Sequence, residues 1–190
     1  MTLALLRRLS VALVVALGAT GSSFALTVPE LQRLLQNSPP KAVAFTETRE
    51  SPWLAVPAET RGTMHSKPGV LEKRVEMPRK EIWRMLPDRV EYVGPGDTGS
   101  KQILFSQSPA VAVLADALRR VVAGELLALE RDFRIDLRGD RSAWTARLKP
   151  TADGAARYLD HLELEGAGAE LRVITVVERQ GERTTTRLYP

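Results

Sequence analysis

Regularly spaced chain breakers constrain this sequence more than any other feature. From residue 42 to residue 106 it runs in short alternating stretches. Ser51-Pro52, Pro57, Lys67-Pro68-Gly69, Met77-Pro78, Pro87-Asp88 and the Gly/Pro-rich segment 94–100 cut them apart. Alternation with a period of two puts successive side chains on opposite faces of a strand. Breakers this close together leave room only for tight connections, which join antiparallel neighbours. Strands are expected at 42–50, 59–66, 70–76, 80–86, 89–93 and 101–106. The first places Val43, Phe45, Glu47 and Arg49 on one face.

The period then changes. Val111, Leu114, Ala115, Leu118, Val121 and Val122 recur at helical spacing, predicting a helix over 109–122. Pro109 suits its first turn and Ser108 its cap. Gly124 interrupts it, and 125–131 reads as a second short helix. Alternation resumes at Phe133, Ile135 and Leu137, again at Trp144, Ala146 and Leu148, and over 158–165, 170–177 and 182–189. Near the start, Thr27 and Glu30 have capping-box spacing ahead of Leu31, Leu34 and Leu35, and Asn37-Ser38-Pro39-Pro40 ends that helix. No βαβ alternation and no repeat of 20–50 residues is present. The expected fold is one α+β domain. It is a large curved antiparallel sheet, a half-open β-barrel of about 10–11 strands, with two or three helices forming a lid on the apolar face.

The first residues have the parts of a secretory signal peptide. Arg7 and Arg8 precede an apolar run over 9–17, and Ser23-Phe24-Ala25 supplies small residues for a cut after Ala25. The run is shorter than the roughly 20 apolar residues a spanning helix needs. Expected boundaries are therefore 1–25 for the leader and 26–190 for a single domain. The sequence holds no Cys, which removes disulfides, a thiol nucleophile, thiolate metal sites and a lipid anchor at the cut. The mature protein is expected to diffuse freely. Loss of the leader lowers the net charge from +4 to +2, and the remaining charges are interspersed with few aromatics. Nucleic acid is not an expected partner.

Catalytic signatures are missing as well. The two histidines, His65 and His161, sit among polar neighbours in strand-like stretches and are expected at the surface. There is no G-x-S-x-G elbow, glycine-rich phosphate loop, H-E-x-x-H pair or calcium loop. Glu163 and Glu165 have strand spacing and read as solvated carboxylates. No catalytic residue, metal site or cofactor is expected.

Two features exceed what a bland domain needs. Trp53-Leu54-Ala55-Val56 is an apolar loop, expected to fold back over the sheet end or, alternatively, to touch the mouth of a cavity. The 109–122 helix is apolar over a wide arc, as core packing or a cavity lid would require. If the sheet and this helix enclose a cavity, Phe45, Met64, Leu71, Val75, Trp83, Met85, Leu114 and Leu118 are the candidates to line it.

The order of these features resembles the LolA-like outer-membrane lipoprotein carrier family, in its divergent LolA-related branch. Phe45-Thr46-Glu47, the stretch from Gly62 through Lys67-Pro68-Gly69 to Glu72, the apolar helix after Pro109, and Trp144 followed by Leu148-Lys149-Pro150 carry the resemblance. It implies an open barrel with a helical lid, an apolar cavity for acyl chains, and no catalysis or cofactor. It further implies a monomeric periplasmic shuttle for lipoproteins or other lipidated cargo, loaded by an inner-membrane donor and unloaded by an outer-membrane acceptor. Lys67 stands where typical carriers latch the lid with Arg, and a lysine offers a point charge in place of a planar fork of donors. Trp53 and Leu54 would lie at the mouth. The runner-up is a non-catalytic periplasmic interaction module docking on an envelope transport or biosynthesis complex. A lipid hydrolase or isomerase is the third reading.

Overall fold

The computed structural model describes residues 25–37, 42–96 and 99–189. The expected leader, apart from Ala25, lies outside the described residues, as does the Ser38-Pro39-Pro40 helix stop. The first half contributes strands β1 (Val43–Glu50), β2 (Ala58–Lys67), β3 (Val70–Met77), β4 (Glu81–Met85), β5 (Arg89–Val93) and β6 (Ser100–Leu104). The second contributes β7 (Phe133–Gly139), β8 (Trp144–Pro150), β9 (Leu159–Ala167), β10 (Glu170–Glu178) and β11 (Arg183–Tyr189). Helix α1 (Val28–Asn37) precedes them, α2 (Pro109–Val122) joins the halves, and a short α3 (Asp153–Ala156) lies between β8 and β9.

All eleven strands belong to one antiparallel sheet in the order β6-β5-β4-β3-β2-β1-β11-β10-β9-β8-β7. Each half is a meander, and the two meet along the β1–β11 seam. Strands β6 and β7 are the free edges, so the barrel stays unclosed. This topology dictates the course of α2. It connects one sheet edge to the other, and it packs against β3, β4 and α3 on the way. The period change in the sequence is thus the point where the chain leaves the sheet and crosses over it.

Local chemistry explains the curl. In the β2–β3 pair the partners shift from Arg61/Met77 to Gly62/Val75, which makes Glu76 of β3 the extra residue of a bulge, and bulges bend and twist the bulged strand. Gly62 faces Phe45 across the β1–β2 pair, and any Cβ there would collide with the Arg74 carbonyl. Further irregularities fall in the β9–β10 pair at Leu171/Val173 and Val177/Glu178. Of the expected capping box at α1, the Glu30 half is present. The Glu30 carboxylate accepts hydrogen bonds from the Thr27 N–H at 3.0 Å and its hydroxyl at 2.7 Å, and these hold the Glu30 pKa below its ordinary value.

The two sides of the inner face are packed differently. Under β8 and β9, Ala146, Leu148, Leu162 and Leu164 are fully buried, as are Leu31 of α1, Leu126, Leu129 and Phe133. This is a filled core. Residues 125–131, expected as a helix, form a 3-10 turn over Leu127–Arg131 that supplies Leu129 to it. Under β3 and β4 the packing is looser, with Trp83, Met85, Leu114 and Leu118 only partly buried.

Two surface expectations are corrected. His161 is 7% exposed, held by Asp160 at 2.7 Å through Nδ1, with Nε2 buried and lacking a hydrogen-bond partner. It lies in β9 between Lys149-containing β8 and β10, where it pairs with Val177, and a central strand leaves little room for water. The 51–57 loop does not fold over the sheet: Trp53 is 78% exposed and Val56 73%. Short, proline-bounded and tied at its base by Ser51, it projects away from the sheet end.

Candidate functional site

Strand register sets the composition of the inner face. Residues Phe45, Glu47 and Arg49 stand opposite Leu188, Thr186 and Thr184 on β11. Next along, Ile174 and Val176 of β10 pair with Thr186 and Thr184. On the other side, Met64 pairs with Lys73, which in turn pairs with Trp83, and Leu71 pairs with Met85. Helix α2 lies over this surface with Leu114, Leu118 and Val122 at i, i+4 and i+8, one stripe of a helix.

Between them lies a cavity of about 310 Å³. Six of the eight residues expected to line it do so: Met64, Leu71, Trp83, Met85, Leu114 and Leu118. Phe45, 1% exposed, and Val75, 6% exposed, lie in the core and are absent from its wall. Val122, Ile174 and Val176 complete the apolar lining. The Trp83 ring packs at 44° on Tyr92 with centroids 4.3 Å apart, and its indole N–H donates to Glu81 at 3.2 Å. That fixes the ring as one wall.

A second cavity of about 260 Å³ opens along α2 between Ala110, Val111, Val113, Ala155, Tyr158 and Leu159. Leu114 and Glu178 border both cavities.

The first cavity also has a polar strip. Lys73 Nζ lies 2.5 Å from Glu47 Oε1, both side chains largely buried, and Thr186 Oγ1 donates to Glu47 Oε2 at 2.7 Å. The Lys73 ammonium also stands 5.0 Å from the Phe45 ring centroid. Toward the 51–57 loop, Arg49 is bound to Glu182 at 2.5 Å. Burial, then the charge of Glu182, raises the Glu178 pKa above its ordinary value against the pull of Arg49.

This strip was missed by selecting apolar residues alone. Its signal was in the sequence: Glu47 and Arg49 share the alternating face of Phe45, and Lys73 shares the face of Leu71 and Val75. Lys67 is exposed at the end of β2, paired with Val70, and its ammonium has no hydrogen bond or ion pair among the described residues. Trp53 and Leu54 are exposed on a loop beyond the Arg49–Glu182 end of the cavity. Among the described residues no cluster of His, Asp and Glu has metal-binding geometry.

The architecture is that of an unclosed antiparallel sheet whose inner face is spanned by a connecting helix, with an apolar cavity beneath that helix. Residues 20–189 match the family model of outer membrane lipoprotein carrier protein LolA-like proteins, and the chain belongs to that family. No curated protein matches the chain. Similar solved structures include a LolA superfamily protein from Nitrosomonas europaea at 11% identity, TM-score 0.47, covering 87% of this chain and 93% of that one. A DUF1329 family protein from Desulfovibrio piger is similar at 8% identity, TM-score 0.46, covering 85% and 89%. A third is an outer membrane lipoprotein-sorting protein domain from Vibrio parahaemolyticus at 7% identity, TM-score 0.42, covering 85% and 88%.

Proposed function

We propose that this protein is a soluble periplasmic carrier. Residues 1–25 would be the cleaved leader and 26–190 the single carrier domain. It holds the acyl portion of a lipoprotein or other lipidated molecule under α2, as a monomer, between an inner-membrane donor and an outer-membrane acceptor. The observation that carries this reading is the apolar space between helix and sheet, walled by Met64, Leu71, Trp83, Met85, Leu114 and Leu118. Its volume falls at the lower end of the range of small-molecule sites, about 300–1,000 Å³. Each methylene removed from water contributes about 0.8 kcal/mol, so apolar contact alone suffices for retention and no reactive group is needed. Displacement of α2, whose supports on β3 and β4 are side-chain contacts, would open the space for release.

Native mass spectrometry of protein recovered from the periplasm tests this reading, with uptake of a fluorescent fatty acid as a second arm. Bound acyl species, saturable uptake and an N-terminus at Leu26 are the expected results. Protein that repeatedly carries no apolar ligand and takes up none would refute carriage. Exposure of Trp53 and Val56 favours the second reading, a docking module. Under that reading, with no lipid inside, the wild type takes up no fatty acid and Trp53→Ser with Val56→Ser abolishes association with an envelope complex.

A further inference from the structure

The ion pair inside the cavity is at odds with a ligand that is apolar throughout. Lys73 and Glu47 are 15% and 17% exposed at their side chains, and both line the space that Trp83, Met85, Leu114 and Leu118 wall. A bare hydrocarbon filling that space would strip their remaining hydration and return nothing, and dehydrating charged groups is strongly unfavourable. A ligand that carries a polar group to this point avoids the penalty.

The unused bonding capacity says which polar group. An ammonium has three N–H donors and no acceptor. Lys73 directs one to Glu47, and its ammonium also stands over the Phe45 ring face. The Glu47 carboxylate already accepts from Lys73 and Thr186. The site therefore offers a donor and seeks an acceptor. The nearby charges argue against an anion as that acceptor, because both lining cations are already matched, Lys73 by Glu47 and Arg49 by Glu182 outside the lining, while Glu178 adds a further acid to the wall. A neutral oxygen meets both conditions.

We propose that Lys73, held by Glu47 and Thr186, is a head-group subsite: cargo binds with a neutral acyl ester or amide carbonyl seated on Lys73 Nζ and its chain against Trp83, Met85, Leu114 and Leu118. This rests on the carrier reading and narrows its substrate class to acyl compounds bound with their carbonyl inside.

A chain-matched series tests it: methyl laurate, laurate, dodecylamine and dodecane, each displacing an apolar fluorescent probe at fixed salt. The wild-type protein is compared with Lys73→Met and with the charge-free pair Glu47→Gln/Lys73→Met. The double variant leaves no Glu47 carboxylate stripped of its lysine partner, and its melting curve verifies folding. The expected result is about a tenfold preference for the ester over the alkane in the wild type, the weight of one hydrogen bond to a charged donor. The preference disappears in the double variant, while alkane and probe bind as tightly as before or tighter. An ester preference that survives in the double variant overturns the subsite, as does a wild-type preference for laurate or dodecylamine. A wild-type protein that binds neither probe nor any member of the series overturns the carrier reading itself.

Discussion

Truncating one leucine on each side of the inner face separates a filled core from a cavity wall. Leu164 has no exposure and sits with Ala146 and Leu162 in the filled half. Leu164→Ala removes about three methylene equivalents, near 2.4 kcal/mol at 0.8 each. A residual void on the order of 50 Å³ adds about 1.2 kcal/mol at 24 cal/mol per Å³. The expected loss is about 3.5 kcal/mol. Leu118 is only partly buried, and one flank borders the 310 Å³ cavity. Truncation there loses about half the transfer free energy, roughly 1.2 kcal/mol, and enlarges an existing space instead of making a new one. Urea unfolding with a slope near 2 kcal/mol/M translates these figures into midpoint drops of roughly 1.8 M and 0.6 M. Leu118→Ala should also widen the range of chain lengths that displace an apolar probe, whereas Leu164→Ala should not. Equal losses of stability at the two positions would refute the reasoning, for they would mean that α2 packs down and the cavity is closed in solution.

Three further outcomes are expected. Gly62→Ala forces a methyl group into the Arg74 carbonyl beside the β3 bulge, and a loss of about 2 kcal/mol or more should follow in thermal unfolding. Asp116→Asn removes the carboxylate that binds Arg119, 8% exposed, and Arg120, at 2.5 and 2.6 Å, and leaves a buried guanidinium without its counter-charge, for a loss of about 2–3 kcal/mol. Burial raises the Asp116 pKa, but the hydrogen bonds from Arg120 and Arg119 outweigh it and lower the pKa overall. Its contribution is therefore present above the ordinary aspartate range and lost as pH falls through the lowered value, and calorimetric scans of wild type and variant should converge there. Glu178 has the opposite sign. Its pKa is raised, first by burial and then by Glu182, so the folded state binds the extra proton and stability falls as pH rises through the raised value. Glu178→Gln should therefore gain on the wild type at neutral pH and level with it below the ordinary glutamate range.

The strand pattern was readable because breakers and alternation are local properties: nine of the ten observed strand pairings join neighbours in sequence, and the tenth is the β1–β11 seam. Helix α2 was readable for the same reason: Leu114 and Leu118 are four residues apart. Short α3 was not, since four residues of Asp-Gly-Ala-Ala carry no helical period and owe their shape to burial of Ala155 against the sheet. Six cavity residues follow from facing alone. Phe45 and Val75 share that facing, but which inward residues meet a void and which meet other side chains depends on where α2 comes to rest, a long-range outcome no local spacing encodes. The Glu47–Lys73 pair joins strands 26 residues apart in sequence, and its meaning emerges only once both are known to face an apolar space. Exposure of Trp53 was misjudged because hydrophobicity argues for burial without supplying a surface to be buried against.

The position of β11 governs how such a sheet can be assembled. Last of the strands in chain order, it lies in the middle, with β1 on one side and β10 on the other. Residues Ala44 and Tyr189 become partners across nearly the whole length of the chain. Until β11 docks, each meander presents an open backbone edge, and such edges template pairing with other chains. The strand therefore acts as a keystone. A polypeptide emerging from a ribosome or a translocation channel gains a complete sheet only when its final strand arrives, and folding should be slow and all-or-none, as expected when the decisive contacts are the most distant ones.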